Sequence, residues 1–456
     1  MKKWFLSTLV VLSLAGCNET DDLISIDLQG TTSPKRSQLR SYEEAKFIAL
    51  QSISMLDSDY DNSVTTRGAS SSRTLQDKDT YVVCVDPSET RSSESFDNDT
   101  LMYVFNFENN QGFAIVSAEK GTEGLIAVIE SGHYNPSDTI DTGFRRYMTA
   151  AKLYISANRA QENTEPNRAP KGFYYEIDTT AWCNIPARIT VKWGQNFHEG
   201  QFCPNQTSGC SNTAAAMIMS YFEYPTLLEI RYNGFPYTYR TLNWSGIKNY
   251  INRYSCSYAF LNNVSSCTNE DHKSVGHLCR ELAERAESTF YYDPNSTLTE
   301  TQKIRNTLSD FGYTVGSITS YQNLVNTSTI RDHLSDGKLI YMRGSNNTEN
   351  SGGHAWVIDG YYGFTVHSCY YEYGFTNGLP DPPVLMDEQY HTHRYNHINW
   401  GYNGNNNGYF VDGVFSYYET AYNYDNNFYV HATTDPDLIA DYNFANSVLF
   451  FTIYKN

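Results

Sequence analysis

The sequence predicts an α+β protein in two parts, a small mixed unit followed by a larger domain in which a helical portion precedes a sheet portion. Three observations carry this. At 456 residues the chain exceeds one ordinary domain. A polar stretch rich in Pro, Asn and Arg at Asn158–Lys171 divides it. Beyond that stretch helical patterns cluster before Lys338, after which the pattern is almost entirely strand and loop.

The elements follow in order. Ser41-x-x-Glu44 is a capping-box signature opening a helix through about Leu56, with Ala45, Ile48, Ala49 and Ser52 on one face. Strands are expected over Thr80–Val85, Leu101–Phe107 and Gly112–Ala118, the last two joined by the turn-rich Glu108-Asn109-Asn110-Gln111. Phe144–Ala157 reads as a second helix, closing the first unit at 40–157. In the larger part, 172–456, helices are expected from Cys210 to before Pro225, near Ser274–Ser288, over Thr299–Phe311 and over Thr327–Ser335. No internal repeat is visible.

Composition removes some function classes. Lys and Arg number 33 against 51 Asp and Glu, a net charge of −18, which argues against a nucleic-acid partner. At the N-terminus, Lys2 and Lys3 precede an apolar run from Trp4 to Leu14, too short for a permanent membrane span. The run ends in Leu14-Ala15-Gly16-Cys17, which resembles a bacterial lipobox. On that resemblance 1–17 is a signal peptide, Cys17 is lipidated, and 18–39 is a flexible stalk tethering an exported protein to the bacterial outer membrane. A plain cleaved signal is the competing reading, and the membrane face stays open. Nine cysteines are odd in number, and Cys256 with Cys267 is the closest candidate pair among the rest.

The chemistry centres on Gly209-Cys210-Ser211-Asn212-Thr213-Ala214-Ala215-Ala216-Met217. A helix N-terminus offers unpaired N–H groups and the positive end of the macrodipole, both of which stabilise a thiolate. A small buried core cysteine is the alternative. A nucleophilic cysteine needs a base, a partner that orients the base, and donors for an oxyanion. His354, in Ser351-Gly352-Gly353-His354-Ala355-Trp356, follows Cys210 by 144 residues, within the papain-type range. Its glycines let a substrate backbone approach, and the apolar run behind it holds the ring. His397-Ile398-Asn399-Trp400-Gly401 supplies an orienting amide at Asn399 and an indole to shield it. Trp193-Gly194-Gln195 supplies a second amide.

With these residues in place the chain resembles the streptopain-like cysteine peptidases, a papain-like bacterial family. The same resemblance covers about 40–415, including Cys203-Pro204, Tyr224-Pro225 and the hairpin Tyr103–Phe107 with Gly112–Ala118. It implies a papain-like two-part catalytic domain (helical part plus antiparallel sheet part) preceded by a small α+β propeptide domain. By that resemblance Cys210 is the nucleophile, His354 the general acid/base and Asn399 its orienting partner. Trp400 covers the pair, and Gln195 with the Cys210 N–H forms the oxyanion hole. Gly209, Gly352, Gly353 and Trp356 line the substrate site. Residues 40–157 are then an inhibitory propeptide, 158–171 a processing linker, and protein or peptide the substrate.

Three departures stand out. Ser211-Asn212-Thr213 replaces the usual Val-Ala-Thr, at the expected primed-side wall. Tyr402 replaces a second tryptophan. The 45 residues from His354 to Asn399 imply an inserted loop or hairpin around Tyr361–Tyr390. No cofactor and no metal are implied: His391-x-His393-x-x-x-His397 lacks an acidic or Cys partner at zinc-like spacing, and His198-Glu199 has no second histidine at the zincin offset. The rival reading from another class is a catalytically weak surface lipoprotein that keeps the fold as a protein- or glycan-binding module. Within the enzymes, an amidase or transglutaminase could use the same residues.

Overall fold

The computed structural model describes residues 39–61, 73–84, 90–92, 100–136, 142–159, 172–196, 198–253, 270–292, 295–321, 327–345, 353–373, 375–376, 379–380, 382–414 and 448–455. The expected signal peptide with Cys17, the expected stalk up to 38, most of the expected processing linker, Gly352, Cys256 and Cys267 lie outside them. The six cysteines Cys84, Cys183, Cys203, Cys210, Cys279 and Cys369 are free thiols.

The first part opens with α1 (Tyr42–Asp61), whose start carries the expected capping box: the Glu44 carboxylate accepts from Ser41 N–H at 2.7 Å and the Ser41 hydroxyl from Glu44 N–H at 3.3 Å. Strands β1 (Leu75–Cys84), β2 (Thr90–Ser92), β3 (Thr100–Phe107), β4 (Phe113–Ser117) and β5 (Leu125–Ile129) form an antiparallel sheet in the order β2-β1-β3-β4-β5. Strands β3, β4 and β5 are buried throughout, which explains their continuous apolar runs. Helix α2 (Thr142–Arg159) closes this part.

The larger part begins with β6 (Gly172–Ile185), then α3 (Cys210–Phe222), β7 (Leu227–Ile230), β8 (Thr238–Thr241), α4 (Trp244–Arg253) and α5 (Glu270–Arg285). Strands β9 (Thr289–Tyr292) and β10 (Asn295–Leu298) make a hairpin, followed by α6 (Thr301–Asp310), β11 (Thr314–Val315), β12 (Thr319–Ser320) and α7 (Thr329–Ser335). The sheet portion then runs through β13 (Leu339–Ser345), β14 (Gly353–Tyr373), β15 (Phe375–Thr376), β16 (Leu379–Pro380), β17 (Val384–Asn399), β18 (Gly408–Val411) and β19 (Val448–Tyr454). Helix α3 is the core of the helical portion: Ala214 through Met219 are wholly buried, as an Ala- and Met-rich run requires.

One sheet joins the two parts. Its order is β11-β19-β13-β14-β17-β18-β5-β4-β3-β1-β2, and the junction is antiparallel pairing of Gly408, Tyr409 and Phe410 with Ile129, Val128 and Ala127. The first part therefore extends the sheet of the second by adding a strand to its edge. Beyond the 40–415 span of the resemblance, the chain supplies β19, inserted beside β13 with Phe451 stacked on Tyr341 at 4.8 Å. The region around Tyr361–Tyr390 is a hairpin built from the long β14 and β17, as expected of an insertion. The chain falls into two compact units. Leu39–Gln161, Asn184–Tyr362 and Arg394–Asn456 make the larger, and the described residues of Glu162–Cys183 and Gly363–His393 belong to the smaller.

Phe451 is fully buried although it lies in a stretch without a recognisable motif. Phe451→Ala should cost about 3–5 kcal/mol of stability, read as the shift in urea midpoint of the Cys210→Ala chain. A loss below 1 kcal/mol would mean that β19 does not pack as described.

Candidate active site

Cys210 is the first residue of α3, half-buried, and preceded by Gly209 at φ 84°. Only glycine serves there. Beyond the positive φ, a Cβ would lie 2.6 Å from the Thr297 carbonyl oxygen. The other two described thiols in the helical portion are poor nucleophiles: burial pushes Cys203 up to about 12 and Cys279 well above the ordinary range.

The segments that carry the sequence motifs meet around this helix. Gln195 is half-buried, and its carbonyl accepts from Ser208 N–H at 2.7 Å and the Ser208 hydroxyl at 2.9 Å, tying it two residues ahead of Cys210. The Thr213 hydroxyl donates to Gly194 O at 3.1 Å. Beneath, Gly194 N–H donates at 3.3 Å to Glu199, whose carboxyl is pushed by burial up to about 8 and so is protonated at neutral pH. Trp193 O accepts from Asn403 N–H at 3.0 Å, and a Cβ on Gly401 would touch Thr213 and Met217 of α3. Helix α3 also packs on β13, where the buried Tyr341 lies close to Cys210, and β13 pairs with β14 so that Gly344 faces His354. Gln195, Cys210, His354, Asn399 and Trp400 thus share one neighbourhood.

Ser211 and Asn212 do not form a cleft wall. Both are buried, and the Asn212 amide donates inward to Ser208 O at 2.8 Å, Thr299 Oγ1 at 3.1 Å and Ser288 Oγ at 3.2 Å. The departure from Val-Ala-Thr is a polar anchor of the helix start: Asn212 turns toward β10 and α6, and Ser211 lies by the Tyr341 hydroxyl of β13.

His354 is the most constrained group. Its Nε2 lies 2.8 Å from the Trp400 carbonyl, which can only accept, so Nε2 carries the proton and Nδ1 accepts from the Tyr402 hydroxyl at 3.3 Å. Tyr402 also stacks on the ring at 4.8 Å and 19°. Trp356 and Trp400, both fully buried, flank it at 6.2 Å each. Asn399 does not touch the imidazole. Its amide N–H donates to Val191 O at 3.4 Å and its oxygen accepts from Gly401 N–H at 3.1 Å. The physical reason lies in the first part of the chain: Gly143, at the start of α2, is pressed so closely on the ring that a Cβ there would lie 2.6 Å from both His354 Cδ2 and Trp400 Cε3. Burial takes the His354 pKa down to about 3 against the support of the Trp400 carbonyl, and the Arg146 and Arg343 guanidiniums lower it further. Such a neutral ring is not able to hold the thiol's proton.

A second histidine, that of the His397-Ile398-Asn399 motif, has a role of its own. His397 is buried, with Nδ1 2.6 Å from Asp359 and Nε2 2.8 Å from Glu130, a residue of the first part. Burial alone would lower its pKa, but Asp359 and Glu130 outweigh it and raise it well above the ordinary value. An imidazolium between two carboxylates thus ties the first part to the second. Of the other histidines in that spacing, His391 bonds Gln389 at 3.1 Å and His393 stacks on Phe364 at 4.7 Å. The only sequence signal for the His397 role is its position two before Asn399, and nothing local points to Glu130.

Residues 193–410 match the Peptidase C10 family, and residues 41–155 match the Spi protease inhibitor family. A streptopain of Streptococcus pyogenes is 24% identical over 331 residues, spanning 68% of this chain and 73% of the relative. Together these matches support a streptopain-like cysteine peptidase. A second S. pyogenes streptopain is 23% identical over the same length and shares. Among solved structures, a fragment of Prevotella intermedia prointerpain A is similar at TM-score 0.46 and 17% identity, covering 79% of this chain and 97% of that one. Active interpain A of the same organism is similar at TM-score 0.31 and 19% identity, covering 50% and 85%. The peptidase is a cysteine endopeptidase that carries its own inhibitor domain ahead of the catalytic residues.

A pH dependence follows from His354. Its folded pKa, about 3, lies below the unfolded value, so the unfolded chain binds the proton first. That contribution is complete above about pH 6.5 and is lost as pH falls toward 3. His272, lowered by burial to about 3, and His277, to about 4, act in the same direction. Stability of the Cys210→Ala chain should fall on acidification below about 6.5, and His354→Gln should flatten that slope by about 1.4 kcal/mol per pH unit. An unchanged slope in denaturation midpoints would contradict the buried neutral ring.

Proposed function

We propose that this peptidase is an exported, lipid-anchored zymogen, tethered through Cys17 and held inactive by residues 40–157 until the chain is cut within 158–171. The observation that supports it best is Gly143 pressed on His354 and Trp400, with the catalytic imidazole neutral and bonded to a backbone carbonyl. The β5–β18 pairing and the Glu130–His397 contact supply the grip that keeps it there.

In the released enzyme the chemistry runs through the five sequence-derived residues. With Gly143 gone, the His354 ring is free to leave Trp400 O and accept the Cys210 proton, with Asn399 as its orienting partner. The Cys210 thiolate attacks the scissile carbonyl, and the oxyanion is stabilised by the Cys210 N–H and the Gln195 amide. The imidazolium returns its proton to the leaving amine, giving an acyl-enzyme. His354 then deprotonates a water that attacks the acyl carbon, and the collapsing adduct regenerates the thiol and releases a carboxylate. Gly353 lies beside the imidazole on the expected substrate side, Gly209 lets the chain turn tightly into Cys210 against Thr297, and Trp356 backs the imidazole.

Two measurements test this. Purified chain from Asn18 onward should trim itself near 158–171, and Cys210→Ala should stay whole, read by gel and N-terminal sequencing. Processing in the mutant at the wild-type rate would remove Cys210 as nucleophile. Replacing Gly143 by Val overpacks the contact at about 1–3 kcal/mol, so self-processing should quicken by roughly fivefold to a hundredfold. A slower or equal rate would mean that Gly143 does not hold the seal.

A further inference from the structure

We propose that His367, Cys369 and Glu388 form a binding site for one divalent transition-metal ion, zinc by its chemistry, clamping the hairpin of β14 and β17. His367 and Cys369 are two apart on β14 and therefore share a face, while Glu388 comes from β17, its hydrogen-bonded neighbour in the sheet. The candidate ligand atoms, one from each residue, all lie within 4.8 Å of one another.

The geometry distinguishes a metal cluster from a second catalytic triad. Glu388 Oε1 lies 2.8 Å from His367 Nε2, and Cys369 Sγ lies 3.2 Å from the same nitrogen. A relay needs the thiol on one ring nitrogen and the carboxylate on the other. Here both crowd one nitrogen, which has a single proton or a single lone pair. Three Lewis bases converging on one point suit a cation instead. In a tetrahedron with bonds of about 2.0–2.3 Å, neighbouring donors stand about 3.3–3.6 Å apart, so the three atoms need shifts of only a few tenths of an ångström to 1.5 Å.

The donor set and its surroundings agree. Imidazole nitrogen, thiolate sulfur and carboxylate oxygen are zinc's usual ligands, and a neutral imidazole with two anions balances the ion's charge. The thiol gives up its proton as the sulfur–zinc bond forms: Zn²⁺ and Cys–SH become Cys–S–Zn⁺ and H⁺. The Tyr390 hydroxyl donates to Glu388 Oε1 at 2.8 Å, and its ring lies parallel to His367 at 4.3 Å, so one residue orients two ligands from outside. Cys369 is buried and Glu388 exposed, which leaves a fourth position open to water from one side. The site is independent of Cys210 and needs no step of peptide hydrolysis.

The test uses full chain carrying Cys210→Ala, reduced and stripped with a chelator, then titrated with cobalt(II) and back-titrated with zinc. One cobalt per chain should bind, with the intense visible bands of four-coordination and a thiolate-to-cobalt charge-transfer band, and one zinc should erase both. In Cys369→Ser the charge-transfer band should vanish. In His367→Ala and Glu388→Gln the cobalt affinity should drop roughly a hundredfold or more. The parent chain alone can overturn the proposal: no cobalt absorption, or only octahedral bands, would sink it. Retention of the charge-transfer band in Cys369→Ser would also sink it, because the metal would then sit on another thiol.

Discussion

One imidazole sets the state of this molecule. His354 needs a free nitrogen near the thiol and enough solvent or charge to carry a proton, and its own neighbours Trp400 and Tyr402 take the first while Gly143 of the first part helps remove the second. Its Nε2–H is spent on the Trp400 carbonyl, its Nδ1 on the Tyr402 hydroxyl, and burial against Gly143 makes the charged form costly. In the zymogen proposed here, inhibition acts on the base and its electrostatics, in addition to any steric cover of a cleft. The glycine is essential to that arrangement, since any side chain at 143 would collide with the ring it confines.

What holds the inhibitor on is backbone first and charge second. Adding β5 to β18 satisfies a row of edge N–H and C=O groups at once, and these bonds are indifferent to side-chain identity. The His397 imidazolium between Asp359 and Glu130 then fixes register, because a one-residue slip would strand a buried charge. Tyr395, donating to Leu125 O at 3.3 Å, and Tyr147, packed on Phe410 at 4.7 Å, fill the seam. The two histidines have opposite signs in their dependence on pH. Acid undermines the neutral His354, whereas alkali undermines the charged His397.

Much of this was legible in the residues because the relevant signals are local. The capping box of α1, the turn between β3 and β4, and the Ala- and Met-rich run after Cys210 each report on their own few residues, and each forms the element expected. The five motif positions could be gathered because their order and spacing are constrained by one fold. The failures are all long-range. Nothing near Val448–Tyr454 says that it pairs with Leu339–Gly344, and nothing near Glu130 points to His397. Asn399 was expected on His354 because a motif describes the working site, whereas the structure holds the imidazole in its blocked arrangement.

The placement of β19 has a consequence for timing during synthesis. The sheet that carries Arg343 and His354 stays open on one side until residues 448–454 arrive, more than a hundred residues after their partner strand β13. The inhibitor domain, whose contacts are mostly among its own neighbours in sequence, can fold long before that. A growing chain therefore presents a finished inhibitor to an unfinished enzyme, and by the time β19 completes the sheet the inhibitor is already folded.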